Sequence, residues 1–356
     1  MSLTIRPLAP EDRGACPKTF GFGSDFSDHM FIQQHAVDKG WYDSVIEPYH
    51  NLSLDPSAAV LHYSQEIFEG MKAYRRKDGG VNLFRPMENM KRFNRSAKRM
   101  VMPEVDPDFH LNALKKLIEL DQAWVPNEHG ASLYIRPAMI ASSSKLGLGA
   151  AANYIHFIIT GPAGSYFKGG FKPIPVYVAD EYRRAVVGGV GEAKTGGNYA
   201  ASLYISEEVA KQGYSQVLWL DAIEGKYIEE VGAMNICFVY EGKQIVTPEL
   251  SGSILPGITR DSILKLAPEL GYEALEARLN INDILQDIDN GKITEVFGCG
   301  TAAVISPIGE LCYQDKKHLI NNNSAGVVSK QLFDNLTGIQ YGDIADPFDW
   351  IVSVTD

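Results

Sequence analysis

The most constraining feature of this chain is a lysine set among glycines: Gly191-Glu192-Ala193-Lys194-Thr195-Gly196-Gly197-Asn198-Tyr199. An apolar, glycine-punctuated run (residues 185–190) leads into it. Behind it, Tyr199, Leu203, Val209 and Ala210 fall at helical spacing between Glu207, Glu208 and Lys211. Asn198 stands where an N-cap belongs. The pattern predicts Lys194 at the end of an extended segment, just before a bend into a helix. Three readings fit these residues. One is a surface lysine in a glycine-rich turn. A second is a phosphate loop, but Ala193 stands where that loop needs a glycine, and two more glycines delay the helix. The third is an amine made nucleophilic by burial, which lowers a lysine pKa and prepares it to bond a carbonyl.

With 356 residues the chain can form two domains and a large core. A net charge of -11 speaks against nucleic acid or an anionic membrane as partner. Four scattered cysteines (Cys16, Cys237, Cys299, Cys312) suit a reducing compartment, and no apolar run reaches membrane-spanning length. The expectation is a cytoplasmic protein. No metal site is expected either, since His29 has no second ligand at useful spacing.

Along the chain, residues 61–69 read as a short helix stopped at Gly70 and followed by a strand. Residues 89–100 read as a helix with Met90, Phe93, Ala97 and Met100 on one face and Arg92 and Ser96 sharing a neighbouring one. A second amphipathic helix is predicted over 109–124. Strands are expected at 132–137, 154–159, 216–221, 226–230, 235–240 and from Val296. A loop at 255–262 opens a helix ending near Leu270-Gly271. The glycine-rich segment at 161–170 reads as a linker and mobile lid. The domains are therefore drawn as 1–160, an interdomain loop at 161–173, and 174–356. Hairpins with segregated helices make the class α+β.

Taken together these segments could serve pyridoxal phosphate. It needs an amine for its aldehyde, a carboxylate for the pyridine nitrogen, a phenol for the ring oxygen, and a basic group with a helix N-terminus for phosphate. Glu230, followed by Val231-Gly232, offers the carboxylate. Phe68-Glu69-Gly70-Met71-Lys72-Ala73, Leu83-Phe84-Arg85-Pro86, Asn89-Met90-Lys91-Arg92, Arg95-Ser96-Ala97, Ser132-Leu133-Tyr134-Ile135-Arg136-Pro137, Lys194-Thr195-Gly196-Gly197-Asn198-Tyr199, Glu230-Val231-Gly232, Leu255-Pro256-Gly257 and Phe297-Gly298 with Gly300-Thr301-Ala302 follow in order. In these the chain resembles the branched-chain amino-acid aminotransferases of pyridoxal-phosphate fold type IV.

The resemblance implies a smaller N-terminal α/β domain, a larger barrel-like C-terminal domain, and a homodimer. It implies transfer of the amino group of L-leucine, L-isoleucine or L-valine to 2-oxoglutarate by a ping-pong route, giving branched-chain 2-oxo acids and L-glutamate. Lys194 would carry the cofactor and move the proton. Glu230 would meet the pyridine nitrogen and Tyr199 the ring oxygen. Arg92, Ile258, Thr259 and Thr301 would hold the phosphate, Leu255 would pack on the ring, and Arg184 would be a further polar contact. Phe26, Tyr63, Phe68, Tyr134 and Ala233 would line the side-chain pocket, with Arg136 and Tyr134 receiving a distal carboxylate. Thr301, Ala302 and Ala303 would receive the substrate carboxylate. Ala233 replaces a threonine of some relatives, and no C-x-x-C follows Ala302-Ala303, so no thiol switch is expected there. A D-amino-acid transaminase, an aminodeoxychorismate lyase and a nucleotide-binding module are the alternatives.

Overall fold

The computed structural model describes residues 2–164 and 170–355. Residues 165–169 of the linker and lid expected at 161–170 lie outside the described residues, and residues 161–163 are instead the end of a strand, Asn153–Ala163. The chain clusters into two compact units, Met1–Tyr166 with Ala193–Gly196 and Gly338–Asp356, and Phe167–Glu192 with Gly197–Thr337.

The first unit contains β1 (Thr4–Ile5), β2 (His29–Ala36), β3 (Gly40–Pro48), α1 (Ala59–Tyr63), β4 (Glu66–Phe68), β5 (Met71–Arg75) and β6 (Val81–Phe84). Helices α2 (Pro86–Arg99) and α3 (Pro107–Leu120) follow, then β7 (Ser132–Ala141) and β8 (Asn153–Ala163). The second unit carries β9 (Ile174–Val178), then α4 (Gly196–Ala200) directly ahead of α5 (Leu203–Lys211), then β10 (Gln216–Leu220), β11 (Ile228–Val231), β12 (Asn235–Tyr240) and β13 (Gln244–Pro248). Then come α6 (Ile258–Glu269), β14 (Glu273–Ala277), α7 (Ile281–Asp289), β15 (Ile293–Gly300), β16 (Val304–Tyr313) and β17 (Lys316–Leu319). The chain ends with α8 (Val327–Tyr341) and β18 (Ile351–Thr355).

Among the described residues the first sheet runs β1-β3-β2-β8-β7-β5-β6-β18, with β4 beside β7. The second runs β11-β10-β9-β16-β15-β12-β13-β14, with β17 beside β16. Strand β18 pairs antiparallel with β6, so the end of the chain belongs to the first sheet rather than to one continuous C-terminal block.

Local chemistry accounts for the elements that position functional side chains. Helix α2 starts at Pro86, whose fixed φ suits a first turn, and buries Met90, Phe93 and Ala97 along one stripe. The neighbouring Arg92 and Ser96 are buried with them, so α2 carries polar groups into the interior. Helix α3 begins at Asp106, which accepts from the N–H groups of Asp108 and Phe109. Its Leu114 and Leu117 pack with Phe31, Leu83, Met90 and Ile135 in the first core. In the second, Val176, Leu218, Ile236, Phe238 and Val296 of the sheet meet Ile284 and Ile288 of α7.

Three local expectations need correction. The helix expected at 61–69 stops at Tyr63, because Ser64 turns left-handed at φ 49, and Glu66–Phe68 pair with β7 as a strand. Residues 187–192 form consecutive turns, with Gly188 at φ +83, so Lys194 follows a turn and not an extended run. Asn198 lies inside α4, and its amide donates to the carbonyl of Val190 at 2.7 Å instead of capping a helix.

Candidate active site

In the first unit the backbone around Lys194 is held on three sides. Its N–H donates to Ser96 Oγ on α2 at 2.9 Å, and its carbonyl accepts from Phe68 N–H at 3.0 Å. Thr195 Oγ1 donates to the carbonyl of Glu66 at 2.7 Å, and the Gly196 N–H donates to Glu66 Oε1. A Cβ at Gly196 would meet that carboxylate, so the Glu66 side chain would have to shift to admit one. The Lys194 side chain leaves this clamp and places Nζ 4.8 Å from the centre of the Phe68 ring.

Arg136 shares that ring from β7, its guanidinium carbon 4.7 Å from the same centre. It also donates to the Tyr134 hydroxyl at 3.1 Å. A cavity of about 320 Å³ opens here, lined by Phe22, Phe26, Tyr134, Arg136, Ile159 and Gly161 among others. Phe26 stacks on Tyr49, with ring centres 5.4 Å apart. Tyr63 stands apart from this cavity's lining and donates its hydroxyl to the carbonyl of Leu146.

Arg92 engages an unforeseen partner through two of its nitrogens. Its Nε and Nη2 reach the two oxygens of Glu69 at 2.7 and 2.9 Å, and both side chains are almost wholly buried. Burial would push the Glu69 carboxyl up. The charge and hydrogen bonds of Arg92, the charge of Lys194 and the Asn89 amide outweigh it and hold the group below the usual carboxylate range.

The second unit gathers a complementary set. Glu230 on β11 is buried; its Oε1 accepts from Leu255 N–H at 2.7 Å, and its Oε2 lies 3.1 Å from Arg184 Nε. Arg184 also donates to the carbonyl of Ser253, and Asn235 Nδ2 donates to that of Leu255 at 3.0 Å. This loop leads into α6, whose N-cap is Gly257 and whose first turn contains Ile258 and Thr259, both buried. A helix start with no side-chain cap of its own suits an anion. Thr301, Ala302 and Ala303 make the turn between β15 and β16, Tyr199 is half-buried on α4, and Ala233 is exposed in the turn after β11.

Each unit by itself holds groups of the kind pyridoxal phosphate needs: the first an amine on a fixed turn, the second a buried carboxylate paired with Arg184 and a glycine-capped helix start suited to a phosphate. Glu66, Glu69, Ser253 and Asn235 escaped the sequence reading. Glu69 alone had left a trace, as a carboxylate inside the apolar run Ile67-Phe68-Glu69-Gly70-Met71.

The class IV amino-transferase family model matches residues 66–311. A probable branched-chain-amino-acid aminotransferase of Staphylococcus aureus (strain N315) is 52% identical over 357 residues, covering 99% of each chain. A second relative, the branched-chain-amino-acid aminotransferase 2 of Bacillus subtilis (strain 168), is 50% identical over 338 residues, covering 95% of this chain and 93% of its own. Among solved structures, the Escherichia coli branched-chain amino acid aminotransferase superposes with a TM-score of 0.77 at 28% identity, covering 92% of this chain and 99% of that one.

Proposed function

Because this chain belongs to the class IV amino-transferases, among the branched-chain-amino-acid aminotransferases, we propose that it moves the amino group of L-leucine, L-isoleucine or L-valine to 2-oxoglutarate with bound pyridoxal phosphate. The observation that carries the reading is the Lys194 amine, anchored by Ser96, Phe68 and Glu66 and set over the same ring as Arg136.

Pyridoxal phosphate, when bound, supplies an aldehyde for the amino group and a ring that accepts electrons. Lys194 would hold that aldehyde and, once displaced by substrate, carry a proton to and from substrate Cα on Nζ. Glu230, paired with Arg184, would meet the pyridine nitrogen. Tyr199 would donate to the ring oxygen, and Leu255 would pack on the ring. Arg92, Thr301 and the first turn of α6, at Ile258 and Thr259, would bind the phosphate. Thr301, Ala302 and Ala303 would orient the substrate carboxylate.

The cavity walls of Phe22, Phe26, Tyr134 and Ile159 suit an aliphatic side chain, each buried methylene contributing about 0.8 kcal/mol. Phe68, Tyr63 and Ala233 complete the proposed pocket. Glutamate and 2-oxoglutarate bring a distal carboxylate that an apolar wall would leave unpaired. Arg136, with the Tyr134 hydroxyl beside it, supplies the charge for it. The working form is a cytoplasmic homodimer; among the described residues no helix is long and apolar enough to cross a membrane.

Coupled assays test the reading. Activity is expected with L-leucine, L-isoleucine and L-valine against 2-oxoglutarate. Turnover of D-alanine or 4-amino-4-deoxychorismate in their place would overturn it.

A further inference from the structure

Strand β4 serves two side chains at once. Glu66 and Phe68 lie two apart, so they share one face of the strand. The Phe68 ring bears Lys194 Nζ at 4.8 Å and the Arg136 guanidinium at 4.7 Å. Glu66 accepts the Gly196 N–H with its carboxylate and the Thr195 hydroxyl with its carbonyl, two residues and one residue past Lys194. Its register partner on β7 is Ile140, and Arg136, four residues back on that strand, faces the same side. Burial pushes the Glu66 carboxyl up, while the Gly196 N–H and the charge of Arg136 pull it back. Glu66 and Arg136 thus present opposite charges on one face of the sheet, on either side of Phe68's register pair.

We propose that Glu66 is a positioning residue with two duties: its carboxylate fixes the turn that carries Lys194, and its negative charge restrains Arg136, setting how strongly the site attracts a substrate with a distal carboxylate. The inference rests on the function proposed above. Arg136 has to accept a dicarboxylate in one half-reaction and tolerate an aliphatic side chain in the other. A fixed carboxylate on the same face of the sheet offsets part of its charge, so an aliphatic substrate does not meet a bare cation. The cost is weaker attraction for glutamate and 2-oxoglutarate. The hydrogen bond to Gly196 and the field at Arg136 are separable, because an amide keeps the first and abolishes the second.

The test uses holoenzyme carrying Glu66→Gln or Glu66→Ala. Absorbance titration reads the binding of two unreactive probes, glutarate and 4-methylpentanoate. Glu66→Gln is expected to bind glutarate about three- to tenfold more tightly, with 4-methylpentanoate changed less than about twofold. Glu66→Ala should show the same glutarate gain. It should also shift the pH midpoint of the cofactor absorbance, because the turn loses its acceptor, whereas Glu66→Gln should keep the wild-type midpoint. Equal changes for both probes would reduce Glu66 to a structural part and overturn the proposal. So would unchanged glutarate binding in Glu66→Gln, a readout that stands even if Glu66→Ala fails to fold. Wild-type protein that binds neither probe and shows no cofactor absorbance would overturn the proposed function itself, and this inference with it.

Discussion

The Lys194 amine lies 4.8 Å from the centre of the Phe68 ring. That ring also carries Arg136, so the proposed reactive amine and the proposed carboxylate receptor rest on one aromatic support. A cation over an aromatic face gains about 0.5–1 kcal/mol where water has access. Phe68→Leu keeps an apolar side chain and removes the face. Steady-state kinetics should then show KM for 2-oxoglutarate raised about two- to fivefold, more than for L-leucine.

The Glu69–Arg92 pair gives a stability prediction. Removing one partner of a buried ion pair leaves an uncompensated charge and costs about 3–5 kcal/mol. Glu69→Ala should lose that much in urea unfolding, and Glu69→Ala with Arg92→Leu should recover part of it. The native Glu69 carboxyl is held below its ordinary value of 4.5, so its contribution is present above that pH and is lost as pH falls through the native value.

A second pH dependence comes from the first core. His110 is fully buried, and burial lowers its pKa from 6.5 to about 3, with Glu69 pulling weakly the other way. His156, whose ring centre lies 4.6 Å from that of His110, is lowered further by burial and by that neighbour. Below pH 6.5 the unfolded chain gains protons that the native one refuses. Each histidine should thus remove up to about 1.4 kcal/mol per pH unit as pH falls. Urea unfolding of His110→Leu should show a shallower decline between about pH 6.5 and 4.5 than the wild type.

The loop ahead of α6 gives a ligand prediction. Asn235 holds the Leu255 carbonyl, and Leu255 N–H holds Glu230, so Asn235 fixes the loop ahead of the helix start. Asn235→Ala removes one partly buried hydrogen bond and should weaken pyridoxal phosphate binding about five- to thirtyfold. Titration of the apo-protein with pyridoxal, which lacks the phosphate, should show a smaller change.

The fold was legible where one segment decides its own structure. Residues 235–240 carry a short apolar run and pair as β12, and the helix expected after 255–262 is present as α6, starting earlier, at Ile258. Arg92 and Ser96 fall on a shared helix face by spacing alone, and both prove buried. The strand at Glu66–Phe68 was not legible, because Leu61 to Phe68 keeps helical spacing and only the left-handed Ser64 and the distant β7 turn it into a strand. Glu66, Glu69 and Ser253 were missed for a related reason. A lone carboxylate or hydroxyl has no spacing signal, and its partner stands up to 130 residues away. The end of the chain returns to the first sheet through β18, a pairing set by tertiary contact.

The proposed function stands on a covalent link between the Lys194 side chain and pyridoxal phosphate. Borohydride reduction of the purified protein, followed by peptide mass mapping, reads that bond. The expected result is a phosphopyridoxyl mass on the peptide containing Lys194 and loss of the label after prior addition of L-leucine. A label on any other lysine, or none on cofactor-saturated protein, would contradict it.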